Sequence, residues 1–150
     1  MVAWKTHNGE VAVVAGARTP FVKAGGSLRR VPLTELARRV FEETLYRCAW
    51  PADRIDEGLL GNVVMPADAA NPARVAAVQA GVPLDVPALT VQRNCASGLE
   101  AVAQGAWNIH TGKVGSVLVG GAESMSNVPL LFSRETLEPM ARLVKAKTLW

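Results

Sequence analysis

The chain has 150 residues, of which 49% are hydrophobic and 19% are charged, and its formal net charge is +3. This balance is typical of a globular domain with a core and excludes a largely disordered chain. No basic stripe with interleaved aromatic residues is present, so we expect no nucleic-acid partner. No apolar run approaches the length of a membrane span, and residues 1–10 lack the apolar segment of a signal peptide. We therefore expect no membrane span and a cytoplasmic location.

The first half of the chain alternates between strand and helix patterns. An apolar run at residues 11–15 predicts a buried strand. Apolar residues then recur at three- and four-residue spacing from Leu33 to Cys48, which predicts an amphipathic helix that ends before Pro51. Charged residues fill the other face of this helix as a solvated surface. Their spacing predicts ion pairs one turn apart, namely Glu35 with Arg39 and Glu43 with Arg47.

Three further strands and two helices follow. Residues 59–64, 88–92 and 116–119 have strand patterns. Asn71 and Pro72 predict a helix start, and Gly81 its end. A second helix runs from Ser97, whose spacing to Glu100 suggests a capping box, to Gly112, and its apolar composition predicts burial on most sides.

This order of four strands and three helices predicts an α/β fold with a largely parallel sheet covered on both faces. We expect a mixed, mostly parallel five-stranded sheet with helices on both faces, one strand more than these four patterns supply. Residues 1–124 would form that domain. After Met125 the pattern degrades, so we expect residues 125–150 to be the start of an incomplete loop or insertion domain.

Cys95 lies where a strand pattern changes directly into a helical one. The attacking species of a cysteine is its thiolate, and unpaired backbone N–H groups at the start of a helix stabilise negative charge beside them. Cys95 is therefore placed for covalent catalysis. Cys48 lies on the apolar face of the first helix, which favours a packing role. Two cysteines are too few for a disulfide framework, so we expect both thiols to be reduced.

The two histidines, His7 and His110, are poor partners for Cys95. His110 follows Cys95 by 15 positions along the predicted helix, which corresponds to about 22 Å at about 1.5 Å per residue. His7 lies in a polar stretch and is interpreted as an exposed side chain.

Other residues have two interpretations each. Arg18 and Arg74 form ion pairs or help a subunit interface, with ion pairs favoured. Glu123 is interpreted as structural, and we expect no metal site. Gly120 and Gly121 are interpreted as a tight turn that allows close backbone approach, rather than as a phosphate-binding loop.

Five separated motifs occur in order along nearly the whole chain, and together they resemble the N-terminal half of the thiolase family. The motifs are Gly16-Ala17-Arg18-Thr19-Pro20-Phe21, Gly61-Asn62-Val63-Val64, Asn71-Pro72-Ala73-Arg74, Asn94-Cys95-Ala96-Ser97-Gly98-Leu99 and Gly120-Gly121-Ala122-Glu123-Ser124-Met125-Ser126. The residues around Cys95 and those from Glu123 onward most resemble the corresponding motifs of thiolases that act in fatty-acid β-oxidation.

The resemblance implies an acyltransferase that cleaves 3-ketoacyl-CoA to acetyl-CoA and a shortened acyl-CoA, or runs the reverse Claisen condensation. Cys95 would be the nucleophile that holds the acyl group as a thioester, and its backbone N–H would supply part of an oxyanion hole. Coenzyme A is then a substrate, and no cofactor is bound permanently.

The family uses a histidine in a Gly-His-Pro context, a second catalytic cysteine and an asparagine in an Asn-Glu-Ala context, and none of these motifs occurs in the 150 residues. The alternative is a non-catalytic, truncated thiolase-like fragment or assembly module. Thiolases enclose the cysteine helix between two similar halves. We therefore expect this chain to be a poor monomer that joins a homo-oligomer or a C-terminal thiolase half.

Overall fold

The structure is a computed structural model that describes residues 10–145. Its elements in chain order are α1 (Leu33–Arg47), a 3-10 turn (Ala52–Arg54), β1 (Glu57–Gly61), α2 (Pro72–Gln79), β2 (Ala88–Val91), α3 (Ser97–His110), β3 (Val117–Gly121) and α4 (Arg134–Lys145). The strands form one parallel sheet in the order β2-β1-β3. Helices α2 and α3 make the crossovers that parallel strands require.

The sheet has helices on both faces, as the sequence predicts. Successive residues of a strand point to opposite faces, so Leu60 packs with α1 and α2 while Leu59 packs with α3. The larger core lies on the Leu60 side. The smaller core joins Leu59 to Val91 of β2 and Ala101 of α3.

Helix α1 agrees with its predicted bounds and its predicted ion pairs. Arg39 Nε lies 2.7 Å from a Glu35 carboxylate oxygen, and Arg47 Nε lies 2.7 Å from Glu43. Arg38 adds a second guanidinium beside Glu35. Hydrogen bonds from Arg38 and then Arg39 lower the pKa of Glu35 to about 2. The charged face of α1 is therefore a solvated ion-pair network.

Helix α2 is also bounded as predicted. The Asn71 side chain accepts the Arg74 backbone N–H at 3.1 Å, Pro72 is the first helical residue, and Gly81 follows with a φ of 91°. The ion pair favoured for Arg74 is wrong. Its guanidinium donates to the backbone carbonyl oxygens of Val86, at 2.6 Å, and Leu84.

The predicted five-stranded, mixed sheet is wrong, because the described residues form three strands, all parallel. Residues 11–15 have no regular secondary structure, although they line a cleft beside β3. Val13 is 88% exposed and Val14 is 68% exposed. A strand is fixed by ladder hydrogen bonds and by packing on its faces, and the described residues supply neither to these valines.

The segment after β3 contains one helix that the sequence left ambiguous, α4, whose described side chains are exposed. The proposed division after residue 124 stays a prediction. None of the helices within residues 10–145 is long and apolar enough to cross a membrane.

Candidate active site

Cys95 lies at the carboxyl edge of the sheet, four residues after β2 and two before α3, and it is exposed. The carboxyl ends of all three parallel strands meet at this edge. Open parallel sheets bind their ligands at such an edge. The structure therefore places the predicted nucleophile where α/β folds carry their chemistry.

The turn that carries Cys95 differs from the predicted capping box. The first residue before α3 is Ala96, and no side chain caps the helix. Instead the Ser97 hydroxyl accepts the Arg93 backbone N–H at 2.7 Å and donates to the Asn94 carbonyl oxygen at 2.6 Å. Asn94 has a φ of 48°. Asparagine tolerates this left-handed conformation, so the residue type itself is a sequence signal for such a turn.

Several backbone N–H groups around Cys95 are uncommitted. Two neighbouring N–H groups are committed: those of Ala96 and Ser97 donate to the carbonyl oxygens of Arg93 and Asn94, which closes the turn. The N–H groups of Cys95, Gly98 and Leu99 make no hydrogen bond to other described residues. Uncommitted N–H groups at a helix start favour negative charge beside them.

Glu100 does not reach back to the helix start. It pairs with Arg93, which lowers the pKa of Glu100, and Gln104 contributes a further hydrogen bond. The predicted burial of α3 on most sides is also wrong for the described residues. Ser97, Ala101 and Gly105 are buried along one face, whereas Leu99 is 73% exposed.

Three glycines let the start of α3 lie directly on the sheet. A Cβ added at Gly61 would lie 2.4 Å from the carbonyl carbon of Ser97, and a Cβ at Gly121 would lie 3.0 Å from the Gly98 Cα atom. Gly121 therefore allows the close backbone approach that the sequence predicts. The tight turn predicted there is wrong, because Gly120 and Gly121 end strand β3.

Glu123 ties two loops of this edge together, which agrees with its structural interpretation. Its carboxylate accepts the backbone N–H of Val63, the backbone N–H of Val64 at 3.4 Å and the buried Asn62 amide at 3.0 Å. Because these groups bond to a side chain, β1 ends at Gly61 and not at the predicted residue 64. The Gln92 side chain donates to the Val63 carbonyl oxygen at 3.1 Å, which links the same loop to the segment before Cys95.

The remaining candidates lie away from Cys95. Cys48 is half-buried at the end of α1 and its thiol donates to the Thr44 carbonyl oxygen at 3.1 Å, as expected for a packing residue. His110 is the last residue of α3, at the opposite end from Cys95. Within residues 10–145 Arg18 forms no ion pair, contrary to the favoured interpretation: its guanidinium donates to the Thr19 carbonyl oxygen at 2.9 Å and lies 4.7 Å from the centre of the Phe21 ring. His7 lies outside the described residues.

Cys95 does not line any of three clefts that the described residues form. A cleft of about 500 Å³ lies between the loop at residues 15–24, α1 and residues 119–126. Smaller clefts of about 210 and 400 Å³ flank α3. Cys95 lines none of these three, so the described residues place the thiol on an open surface.

The parallel sheet with helices on both faces places the chain among α/β proteins, with an exposed cysteine between a strand and a helix. Comparison with known proteins narrows the class. A family profile described as the thiolase N-terminal domain matches residues 11–147. The chain belongs to the thiolase family.

Individual relatives agree with the family. The chain is 40% identical over 120 residues to an acetyl-CoA acetyltransferase of Cupriavidus necator, covering 80% of this chain and 30% of that protein. It is 36% identical over 146 residues to a 3-ketoacyl-CoA thiolase of Pseudoalteromonas translucida, covering 97% and 34%. The crystal structure of the Bacillus anthracis acetyl-CoA acetyltransferase matches with a TM-score of 0.77 and 37% identity over 82% of this chain and 31% of that chain. The chain therefore spans about a third of the length of these relatives.

Proposed function

We propose that Cys95 is the nucleophile of a thiolase-type acyl transfer. The thiolate attacks the ketone carbonyl carbon of a 3-ketoacyl-CoA, and the carbon–carbon bond to the acetyl-CoA unit breaks. The released acetyl-CoA carbanion takes up a proton, so in net balance the Cys95 thiol exchanges its proton for the acyl group. The acyl group stays on Cys95 as a thioester until a coenzyme A thiol attacks it and takes it away. Covalent catalysis of this kind divides one difficult step into two easier ones.

The observation that carries the proposal is the exposed Cys95 with an uncommitted backbone N–H, directly before α3. In this scheme the N–H donates to the oxygen that becomes negative in the transition state. A single donor of this type contributes about 3 to 4 kcal/mol to transition-state stabilisation. Sulfur-to-sulfur acyl exchange is nearly balanced, so the same nucleophile also serves the condensation direction.

Further parts of the proposal concern partners and setting. Acyl-CoA and coenzyme A are the substrates, and no cofactor is bound permanently. A second copy or a C-terminal thiolase half supplies the remaining machinery. We place the reaction in fatty-acid β-oxidation in the cytoplasm, a reducing compartment that suits the two free thiols.

The first test is acetyl transfer to the chain. Incubation with acetyl-CoA is expected to leave an acetyl group on the Cys95 peptide, measured by mass spectrometry. Cys48→Ser keeps this product and Cys95→Ser abolishes it, because Cys48 is half-buried at the end of α1 and its thiol bonds to the Thr44 carbonyl oxygen.

The control for access is alkylation by iodoacetamide, a small reagent that needs no binding site. A chain whose Cys95 is alkylated readily but is never acetylated has no acyl-transfer half-reaction of its own, which contradicts the proposal for these 150 residues. The alternative is then favoured, a non-catalytic thiolase-like module. Its supporting observation is that His110, the one histidine within residues 10–145, lies at the far end of α3 from Cys95.

A further inference from the structure

The turn around Cys95 is closed by one buried hydroxyl. Ser97 is 4% exposed, and its hydroxyl group bonds to the backbone of both residues that precede Cys95. The Arg93 N–H donates to it, and it donates to the Asn94 carbonyl oxygen. Two backbone bonds span the same turn, Ala96 to Arg93 at 3.1 Å and Ser97 to Asn94 at 3.0 Å. Ser97 therefore joins the residues on both sides of the cysteine.

Cys95 is paired with Arg93 in an isolated β-bridge, but its own polar groups add little to its placement. Neither its backbone N–H nor its thiol makes a hydrogen bond to another residue in the described part of the chain, and the residue is exposed. Asn94, directly before it, has a φ of 48°, in a region that is uncommon for side-chain-bearing residues although asparagine adopts it more often than most. The position of the thiol thus depends on whatever holds Asn94 in that conformation.

The second support of the turn lies beneath Ser97. A Cβ added at Gly61 would lie 2.4 Å from the carbonyl group of Ser97. The backbone of Ser97 therefore lies directly against β1. Its side chain then transmits this fixed position to Arg93 and Asn94. A chain of contacts runs from the buried sheet, through Ser97, to the exposed cysteine.

We propose that Ser97 is a positioning residue for the Cys95 nucleophile: its hydroxyl holds the left-handed turn that aims the thiol and the Cys95 N–H at one acyl carbonyl group. This inference rests on the proposed acyl transfer. It differs from a helix-capping role, because the hydroxyl bonds to residues before the helix and not to the N–H groups of its first turn.

The test is Ser97→Ala in the full chain, with acetylation of Cys95 measured against acetyl-CoA concentration. We expect the maximal rate to fall about tenfold to a hundredfold, since a displacement of about 1 Å at a reacting group has effects of that size. The half-saturating concentration should change little, because Ser97 is buried and does not contact the substrate. Iodoacetamide should alkylate Cys95 at a nearly unchanged rate.

Thr90→Val is the matched control. The Thr90 hydroxyl makes the same kind of bonds at the start of α2, accepting the Ala73 N–H at 3.2 Å and donating to the Asn71 side chain at 2.7 Å. This variant should lose a comparable half-buried hydroxyl and keep the acetylation rate. An equal loss of rate in Thr90→Val overturns the positioning role, because general destabilisation then explains both results.

Hydrogen exchange of the backbone amides separates this inference from the proposed function. Ser97→Ala should speed exchange at Ala96 and at residue 97, and should leave Arg74 at the start of α2 unchanged. Unchanged exchange at the Cys95 turn overturns the inference, as does faster exchange with a normal acetylation rate. If the unsubstituted chain is never acetylated, the proposed function fails, and the exchange result alone decides whether Ser97 holds the turn.

Discussion

At the scale of single residues, Glu123 shows how one carboxylate can end a strand. Its two oxygens accept the backbone N–H groups of Val63 and Val64 and the amide of Asn62, a residue that is 1% exposed. A β-strand would commit those N–H groups to a neighbouring strand. Because Glu123 lies two residues after the end of β3, the same bonds hold the loop after β1 to the loop after β3.

We expect Glu123→Ala to lower the free energy of unfolding by about 1.5 to 3 kcal/mol, the usual contribution of a hydrogen bond to a charged group. Chemical denaturation measures this change. Asn62 keeps its bond to the Ala122 carbonyl oxygen, which limits the loss. Glu123→Gln retains one acceptor oxygen and should lose less stability. Equal stability of Glu123→Ala and the unsubstituted chain contradicts the structural role.

At the scale of elements, the sequence predicts those structures whose causes are local. Helices α1 and α2 have apolar spacing and ending signals within their own segments, α2 also has the Asn71 cap, and both match their predicted bounds within a few residues. The strand predicted at residues 11–15 fails because pairing depends on distant residues. The capping box fails because the Ser97 hydroxyl bonds to the preceding turn, a geometry that spacing alone does not reveal.

In the candidate site, too, the sequence predicts the features with local causes and misses those that depend on distant residues. Cys95 stands out because a strand pattern changes to a helix pattern beside it. The contact between Ser97 and Gly61 does not stand out in the sequence, because it joins segments that are far apart along the chain. Asn94 could have been found from its residue type, because asparagine is enriched in left-handed turns.

The contact between β1 and α3 gives a prediction at this scale. A Cβ at Gly61 would meet backbone atoms of Ser97 and Gly98 at 2.4 to 2.5 Å, so Gly61→Ala forces the helix start away from the sheet. Overpacking of this kind costs about 1 to 3 kcal/mol. We expect a lower melting temperature by calorimetry, by about 2 to 4 °C per kcal/mol in a chain of this size.

Gly16→Ala is the control for that substitution. A Cβ at Gly16 would meet nothing within 4 Å, and its backbone does not require a glycine. The melting temperature should stay the same or rise slightly, because alanine restricts the unfolded chain more than glycine does. An unchanged melting temperature in Gly61→Ala would show that the helix start shifts without cost.

At the scale of the whole molecule, the two sides of the sheet are covered unequally. Helices α1 and α2 enclose the larger core, and the outer face of α1 carries the ion pairs. Among the elements within residues 10–145, α3 covers the other side, and the outer face of this helix carries exposed apolar side chains. Leu99 and Trp107 are 73% and 65% exposed, and Val102 is exposed between them. Isolated exposed apolar residues are common, but a continuous apolar patch marks an interface.

This asymmetry predicts that the chain associates through the outer face of α3, a surface that consists of Leu99, Val102 and Trp107. The chain alone should show an average mass above that of a monomer in light scattering, rising with concentration. Leu99→Glu combined with Trp107→Glu should restore a monomer, because a charge buried in an apolar contact is costly.

Tyr46→Glu is the matched control, since Tyr46 is an exposed aromatic residue on the charged face of α1 and should not change the mass. A monomeric unsubstituted chain contradicts the prediction. Association that persists in the double variant instead assigns the contact to another exposed apolar segment, such as Leu130 to Phe132.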